Sequence, residues 1–171
     1  MENVIKTPSM SFGEALKTCF KKYATFKGRA RRSEFWWFSV LGWLLSIASY
    51  AVIGWKMAKV DEIEGKVAEV MFDEEKLQAL TAQAEGYDST FYLLIAIIGI
   101  ISLLLLLPSL AVATRRLHDI GKSGWLLIGM IIPVVNIIIG IMLLIYYLKD
   151  SDRGTNKYGP SPKYIIKEAV E

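Results

Sequence analysis

Cysteine and histidine are almost absent from this sequence, which contains one of each, Cys19 and His118. A single cysteine excludes an intramolecular disulfide, and one cysteine with one histidine supplies too few soft ligands for a structural zinc site. Residues 121–123 read Gly-Lys-Ser, like the end of a phosphate-binding loop, but Arg116 occupies the position where that loop needs a glycine. We therefore expect no metal and no cofactor.

Charged residues are missing from three long stretches, residues 35–55, 90–114 and 125–148, which are 21 to 25 residues long. A helix needs about 20 apolar residues to cross the hydrocarbon layer of a bilayer, whereas a buried helix of a soluble protein seldom has so long a run. The sequence therefore predicts an all-α integral membrane protein with three hydrophobic helical segments.

The remaining charges are distributed unevenly between the polar segments. Residues 1–34 contain eight Lys or Arg and three acidic residues, and residues 115–124 contain three and one. Residues 56–89 contain four Lys or Arg and nine acidic residues. Basic segments remain in the cytoplasm, so we expect a cytoplasmic N-terminus, a basic cytoplasmic loop at 115–124 and an acidic extracytoplasmic loop at 56–89. The net charge of +3 is too small to indicate nucleic acid as a partner.

The third hydrophobic stretch, 125–148, allows two topologies. Its 24 residues are long enough for a single span, which we favour, and which places the polar tail, 149–171, outside the cell. Pro133 and Asn136 interrupt the stretch, however, and a re-entrant hairpin turning there would return the five basic residues of the tail to the cytoplasm.

Helical patterns also occur in two polar segments. Ser11 and Glu14 form a capping-box pattern that opens an amphipathic helix. This helix either lies along the inner membrane surface or packs its apolar face on the bundle. In the acidic loop, apolar residues spaced by three and four predict one or two helices, with Asp73 placed to start the second. The apolar residues of this loop pack on the same protein or on a partner.

Charged residues concentrate beside the first and second hydrophobic stretches. The candidate binding residues are Arg29, Arg31, Arg32, Glu34, Arg115, Arg116, His118, Asp119 and Lys122. The cations among them would form a basic ring at one membrane surface that suits anionic lipid headgroups. Alternatively, Arg32 or Arg116 pairs with Glu34 or Asp119 and joins two helices, because the guanidinium group matches a carboxylate.

Catalysis and transport have weaker support. His118 and Asp119 are neighbours in the sequence, and such neighbours do not face each other on a helix. The three hydrophobic stretches contain no ionisable acid or base for a charge-lined pathway, and Asn136 is the polar group left for transport. We expect a non-enzymatic protein that engages the lipid bilayer through anionic headgroups, or a protein partner or a second copy of itself. A small oligomeric transporter and a lipid enzyme using His118 and Asp119 remain the alternatives.

Four segments together resemble a known family. They are Phe26–Trp36, Leu107–Trp125, the Ile132-Pro133 step and Gly154–Pro162. In this order they are similar to the domain of unknown function 805 family, the YhaH-like bacterial inner membrane proteins. The resemblance implies a small multi-pass protein of the bacterial cytoplasmic membrane and brings no activity, cofactor or catalytic residue.

The family pattern falls on the candidate residues above except Lys122, and it adds others. These are Gly121, Ser123, Trp125, Asn156, Tyr158, Gly159 and Pro160. If the tail shares a side with both basic segments, these residues form one composite surface.

Overall fold

Two long helices, α2 (Arg32–Val70) and α3 (Glu74–Asp119), contain the first two uncharged stretches. They belong to a computed structural model that describes residues 3–167. Both helices are long and apolar enough to cross a membrane. At 1.5 Å per residue, the 39 residues of α2 extend over about 58 Å, well beyond the roughly 30 Å of a hydrocarbon layer. The predicted all-α membrane fold is confirmed.

The acidic loop, residues 56–89, consists mainly of the continuing ends of α2 and α3. Asp73 begins α3 as predicted, since its carboxylate accepts a hydrogen bond from the backbone N–H of Lys76 at 3.2 Å. In the unit that runs from Gly42 to Leu104, Lys56 forms an ion pair with Asp88, and Leu80 is buried. The apolar residues of the loop thus pack at least partly within this unit, and a partner at their exposed side stays a prediction.

The N-terminal amphipathic helix is α1 (Phe12–Lys21), and it opens with the predicted capping box of Ser11 and Glu14. Cys19, on its apolar face, is fully buried against Phe38 of α2 and Val112 of α3. Packing on the bundle is therefore confirmed for this face. Phe20 remains about half exposed while its ring meets Phe38 edge to face at 5.8 Å.

The third hydrophobic stretch is broken into a hairpin. A 3₁₀ helix (Gly124–Ile131) is followed by α4 (Val135–Leu148), and between them Val134 adopts a positive φ of 69°. The two pieces pack closely, and a side chain at Gly129 would collide with Ile139. Our expectation of one continuous span is wrong, because the backbone turns at Pro133 instead of continuing as a helix.

Two short strands, which the sequence did not predict, join the two ends of the chain. β1 (Asn3–Lys6) pairs antiparallel with β2 (Tyr164–Lys167), with Lys6 opposite Tyr164. The N-terminal segment and the tail consequently lie at the same end of the structure. The re-entrant alternative for residues 125–148 agrees with this pairing, since two crossings and a hairpin return the chain to its starting side.

The strand pairing, together with the expected cytoplasmic N-terminus, predicts the side of the membrane on which a fused reporter lies. A cytoplasm-active fluorescent protein fused after Glu171 should fluoresce as brightly as one fused before Met1, because both ends lie on one side. The same reporter inserted at Phe72, in the turn between α2 and α3, should be dark. A dark C-terminal fusion beside a bright N-terminal one would contradict the hairpin.

The packing of α1 predicts slow chemistry at Cys19. Burial, with a smaller effect of the nearby Glu34 carboxylate, raises the pKa of the thiol to about 12, so little thiolate exists at pH 8. We expect N-ethylmaleimide to modify Cys19 slowly in the folded protein and rapidly after denaturation, as followed by mass spectrometry. Equally fast labelling in both states would show that α1 does not stay packed.

Candidate functional site

Arg29, in the loop between α1 and α2, connects the end of α3 to the tail. Its Nε donates to Oδ1 of Asp119 at 2.9 Å, and its Nη2 donates to the carbonyls of Asp119 and Asp152 at 3.1 and 2.7 Å. Its Nη1 donates to the carbonyls of Gly154 and Gly159 at 2.7 and 3.1 Å. One buried guanidinium therefore fixes three segments that are far apart in the sequence.

Arg116 occupies the other side of Asp119. Its Nη1 donates to Oδ2 of Asp119 at 2.7 Å, while its Nη2 donates to the carbonyls of Tyr147, at 3.3 Å, and Lys149. These carbonyls end α4, where a cation complements the helix dipole. Both oxygens of the Asp119 carboxylate are thus bound, and α4 is attached to the end of α3.

Arg115 makes the second buried ion pair. Its Nη1 donates to Glu34 in the first turn of α2 at 2.5 Å, and both side chains are almost completely buried. The Arg115 carbonyl also accepts a hydrogen bond from the N–H of Ala30 at 2.9 Å. The Cys19 thiol lies 3.9 Å from the same Glu34 carboxylate. This pair joins α1, α2 and α3 at one point.

Four cations of the expected basic ring are buried. Arg29, Arg31, Arg115 and Arg116 are each at least about nine-tenths buried, because carboxylates and backbone carbonyls surround them. Lys122 stays exposed, with its ammonium 5.6 Å from the Tyr146 ring centre. These four arginines therefore present little exposed charge to a headgroup, and binding by the ring stays a prediction.

The pairing between helices follows the predicted chemistry with different partners. Arg116 does pair with Asp119, but the two residues are three positions apart on α3. The pair that joins two helices is Arg115 with Glu34. Arg32 instead pairs with Asp150 of the tail at 3.1 Å, and both side chains remain about half exposed.

The tail places an aromatic ring on His118. The Asn156 side chain donates to the His118 carbonyl at 2.9 Å and accepts from the N–H of Tyr158 at 2.9 Å. The turn closes at Gly159, whose φ of 123° favours glycine. As a result the rings of Tyr158 and His118 are stacked, with centres 3.7 Å apart and planes within 7°.

A cleft of about 770 Å³ opens beside this pair of rings. Its apolar wall includes Leu110 of α3 and Leu127 and Ile128 of the 3₁₀ helix, and Lys27 and Lys157 contribute the charged part of its lining. Neither lysine forms an ion pair with a residue in the range 3–167. The cleft thus combines an apolar surface with two cations that lack carboxylate partners.

The cleft depends on the close approach of the 3₁₀ helix to α3. A side chain at Gly124 would collide with the buried Thr114. Ser123 caps the 3₁₀ helix, since its hydroxyl accepts from the N–H of Trp125 at 3.4 Å. Trp125 itself is 78% exposed and belongs to the lining of the cleft.

His118 lies beyond the uncharged stretch that ends at Thr114, and its surroundings favour the neutral form of the ring. Burial lowers its pKa below the usual value, with a smaller lowering by the Lys157 charge and an opposing effect of the Gly28 carbonyl. Its Nδ1 lies 3.2 Å from that carbonyl, which assigns the proton to Nδ1. The other ring nitrogen, Nε2, is then a hydrogen-bond acceptor.

His118 and Asp119 do not act as a pair. Asp119 is completely buried and accepts from Arg29 and Arg116, whereas His118 is directed to Gly28 and Tyr158. The carboxylate therefore serves the arginines and does not orient the imidazole.

The charge pattern alone did not identify all residues of the cleft. Lys27 and Lys157 escaped attention because each stands as a single lysine in a polar segment, and Leu110 looked like any other membrane residue. The family resemblance did mark Ser123, Trp125 and Tyr158. That resemblance, combined with a tail on the same side as Gly28, was the sequence signal that could have identified the cleft.

Comparisons with known proteins support the resemblance. The family model described as protein of unknown function (DUF805) matches residues 23–160. The chain is 30% identical over 144 residues to inner membrane protein YhaI of Escherichia coli (strain K12), and 27% identical over 146 residues to inner membrane protein YhaH of the same strain. Each match covers 84% of this chain and 91% of the relative. No solved structure matches significantly.

The Asp119 cluster predicts a large loss of stability on neutralisation. Asp119→Asn leaves two buried guanidinium groups without their carboxylate and should lower the free energy of unfolding by about 3–5 kcal/mol. Denaturation of the purified protein by a titration with SDS would measure this. Glu62→Gln, which removes the exposed partner of Lys59 and Lys66, is the control and should change little. Similar losses in both variants would contradict the role of Asp119.

Proposed function

The chain belongs to the DUF805 family of proteins of unknown function, and from that premise we propose that it is a non-catalytic lipid-binding protein of the bacterial inner membrane. Its occupant is an anionic membrane lipid, held in the cleft beside His118. The observation that carries the proposal is the junction of an apolar wall with two lysines that have no carboxylate partner among residues 3–167.

We further propose that the end of the structure with both termini faces the cytoplasm. With the re-entrant hairpin, this side contains 16 of the 20 Lys and Arg residues of the chain. The asymmetry agrees with the tendency of basic segments to stay inside. The cleft would then open at the level of the inner-leaflet headgroups, where Trp125 suits an interfacial position.

Each part of the cleft suits one part of a lipid. Leu110, Leu127 and Ile128 offer a surface for an acyl chain, while Lys27 and Lys157 offer charges for a phosphate. The free acceptor of neutral His118 favours a headgroup that carries a hydroxyl. Phosphatidylglycerol combines these properties and is the probe that we would use.

The proposal is non-catalytic because the polar groups near the cleft already have structural partners. Asp119 is bound by two arginines, and Ser123 caps the 3₁₀ helix. A His118→Ala strain with altered lipid composition would instead favour the alternative, an enzyme acting on lipid.

Removal of the two lysines tests the proposal. Lys27→Gln with Lys157→Gln should lose about 1 kcal/mol per residue, which weakens phosphatidylglycerol binding about 30-fold. Native mass spectrometry of the full-length protein, titrated with this lipid, gives the apparent Kd. Leu110→Trp, which fills the apolar wall without changing charge, should also weaken binding.

The matched control carries the same loss of charge at another place. Lys17→Gln with Lys21→Gln changes two exposed lysines of α1 that do not line the cleft. This variant should bind phosphatidylglycerol as the unmodified protein does. Equal affinity in all variants, or an equal loss in both double variants, would disprove a specific lipid site.

A further inference from the structure

We propose a second binding site, separate from the cleft, that takes a phosphate group in a cationic cavity between the N-terminal segment, the start of α2 and the tail. The cavity has a volume of about 430 Å³. Four cations line it, Lys6, Arg31, Arg32 and Lys163. The shared chemistry is a phosphate anion, carried by a small soluble molecule or by a lipid headgroup.

Arg31 is the principal observation. It is about nine-tenths buried, and its guanidinium donates to the hydroxyl of Thr7 at 3.0 Å and to the carbonyls of Pro8 and Thr7 at 2.5 and 3.2 Å. Unlike Arg29, Arg115 and Arg116, it has no carboxylate partner within residues 3–167. A buried charge with neutral acceptors alone is costly, and an anion in the cavity would compensate it.

The other cations of the cavity are only partly neutralised. Arg32 and Lys163 share a single carboxylate, that of Asp150, which remains about half exposed. Lys6 forms no ion pair with any residue between 3 and 167. The described part of the chain therefore gives four cations one carboxylate, and the cavity keeps an excess of positive charge.

The neutral part of the lining suits an oxyanion. Ser9 and Ser33 contribute hydroxyl groups to the cavity, and Ser33 lies in the first turn of α2. The amide groups that begin a helix add partial positive charge at this point. In contrast to the cleft, none of the lining residues has a large apolar side chain. The site thus recognises a charged group and offers no surface to an acyl chain.

The pairing of β1 with β2 brings cations from two distant segments to the cavity. Thr7 is bound to the tail, since its N–H donates to the carbonyl of Lys163 at 2.9 Å. Lys6 is the last residue of β1, and Lys163 directly precedes β2. The pairing of the two strands places these two cations beside the same cavity, where their charges repel each other. A phosphate bound between them would offset this repulsion.

The experiment compares free phosphate with lipid phosphate. The full-length protein is placed in nanodiscs of phosphatidylcholine, and inorganic phosphate is titrated by calorimetry. In a second arm, retention of phosphatidylglycerol by the detergent-purified protein is measured by native mass spectrometry. Lys6→Gln with Arg32→Gln is the test variant; it leaves the Arg31 bonds intact, so a loss of binding does not reflect unfolding, and circular dichroism verifies the fold.

The cleft variant, Lys27→Gln with Lys157→Gln, is the matched control. Saturable phosphate binding that falls at least tenfold in the test variant and is unchanged in the control supports a site for a soluble phosphate. Loss of a lipid adduct in the test variant, separate from the adduct lost in the control, supports a headgroup site. If both arms give the same result for the test variant and the unmodified protein, the cavity is not a phosphate site, whatever the outcome for the cleft.

Discussion

The assembly of α3, α4, the loop before α2 and the tail depends on one constraint, the carboxylate of Asp119. A fully buried charge needs a partner, and Asp119 has two, Arg29 and Arg116. Through Arg29 it holds the loop before α2 and the tail, and through Arg116 it holds the end of α4. Without this group, the two buried guanidinium groups of Arg29 and Arg116 would lose the carboxylate that they share. The family motif around residues 115–124 therefore stabilises the fold, whatever function it also has.

The buried arginines and the unpaired cations that line the two candidate sites form two classes that differ in their partners. Arg29, Arg115 and Arg116 have buried carboxylates and serve the fold. Other cations, Arg31 foremost, lack one within the described chain and lie beside the cleft or the cationic cavity. A count of charges along the sequence cannot separate these classes, since the difference lies in which carboxylate the fold brings near. The second class is where binding of an anion adds stability instead of competing with an existing pair.

The sequence predicted the elements that depend on local patterns. The long uncharged stretches, the capping box at Ser11 and the helix start at Asp73 each follow from residues close in the chain, and all three are present. The hairpin has a local signal in Pro133, and its two pieces are close in the sequence. The strands at the two ends, in contrast, depend on contacts over more than a hundred residues, for which no short pattern exists. The partner of Arg115 was missed for the same reason, because Glu34 lies 81 positions away in the sequence. Segment length favoured a single span, whereas the charge of the tail favoured the topology that the structure has.

The pairing of β1 with β2 has a consequence for biosynthesis. A ribosome synthesises β1 long before β2. The first strand therefore stays unpaired while both long helices enter the bilayer. Arg29 likewise waits for the carbonyls of Gly154 and Gly159. A prematurely terminated chain can insert its helices and still lack this closure, with β1 unpaired and Arg29 short of acceptors.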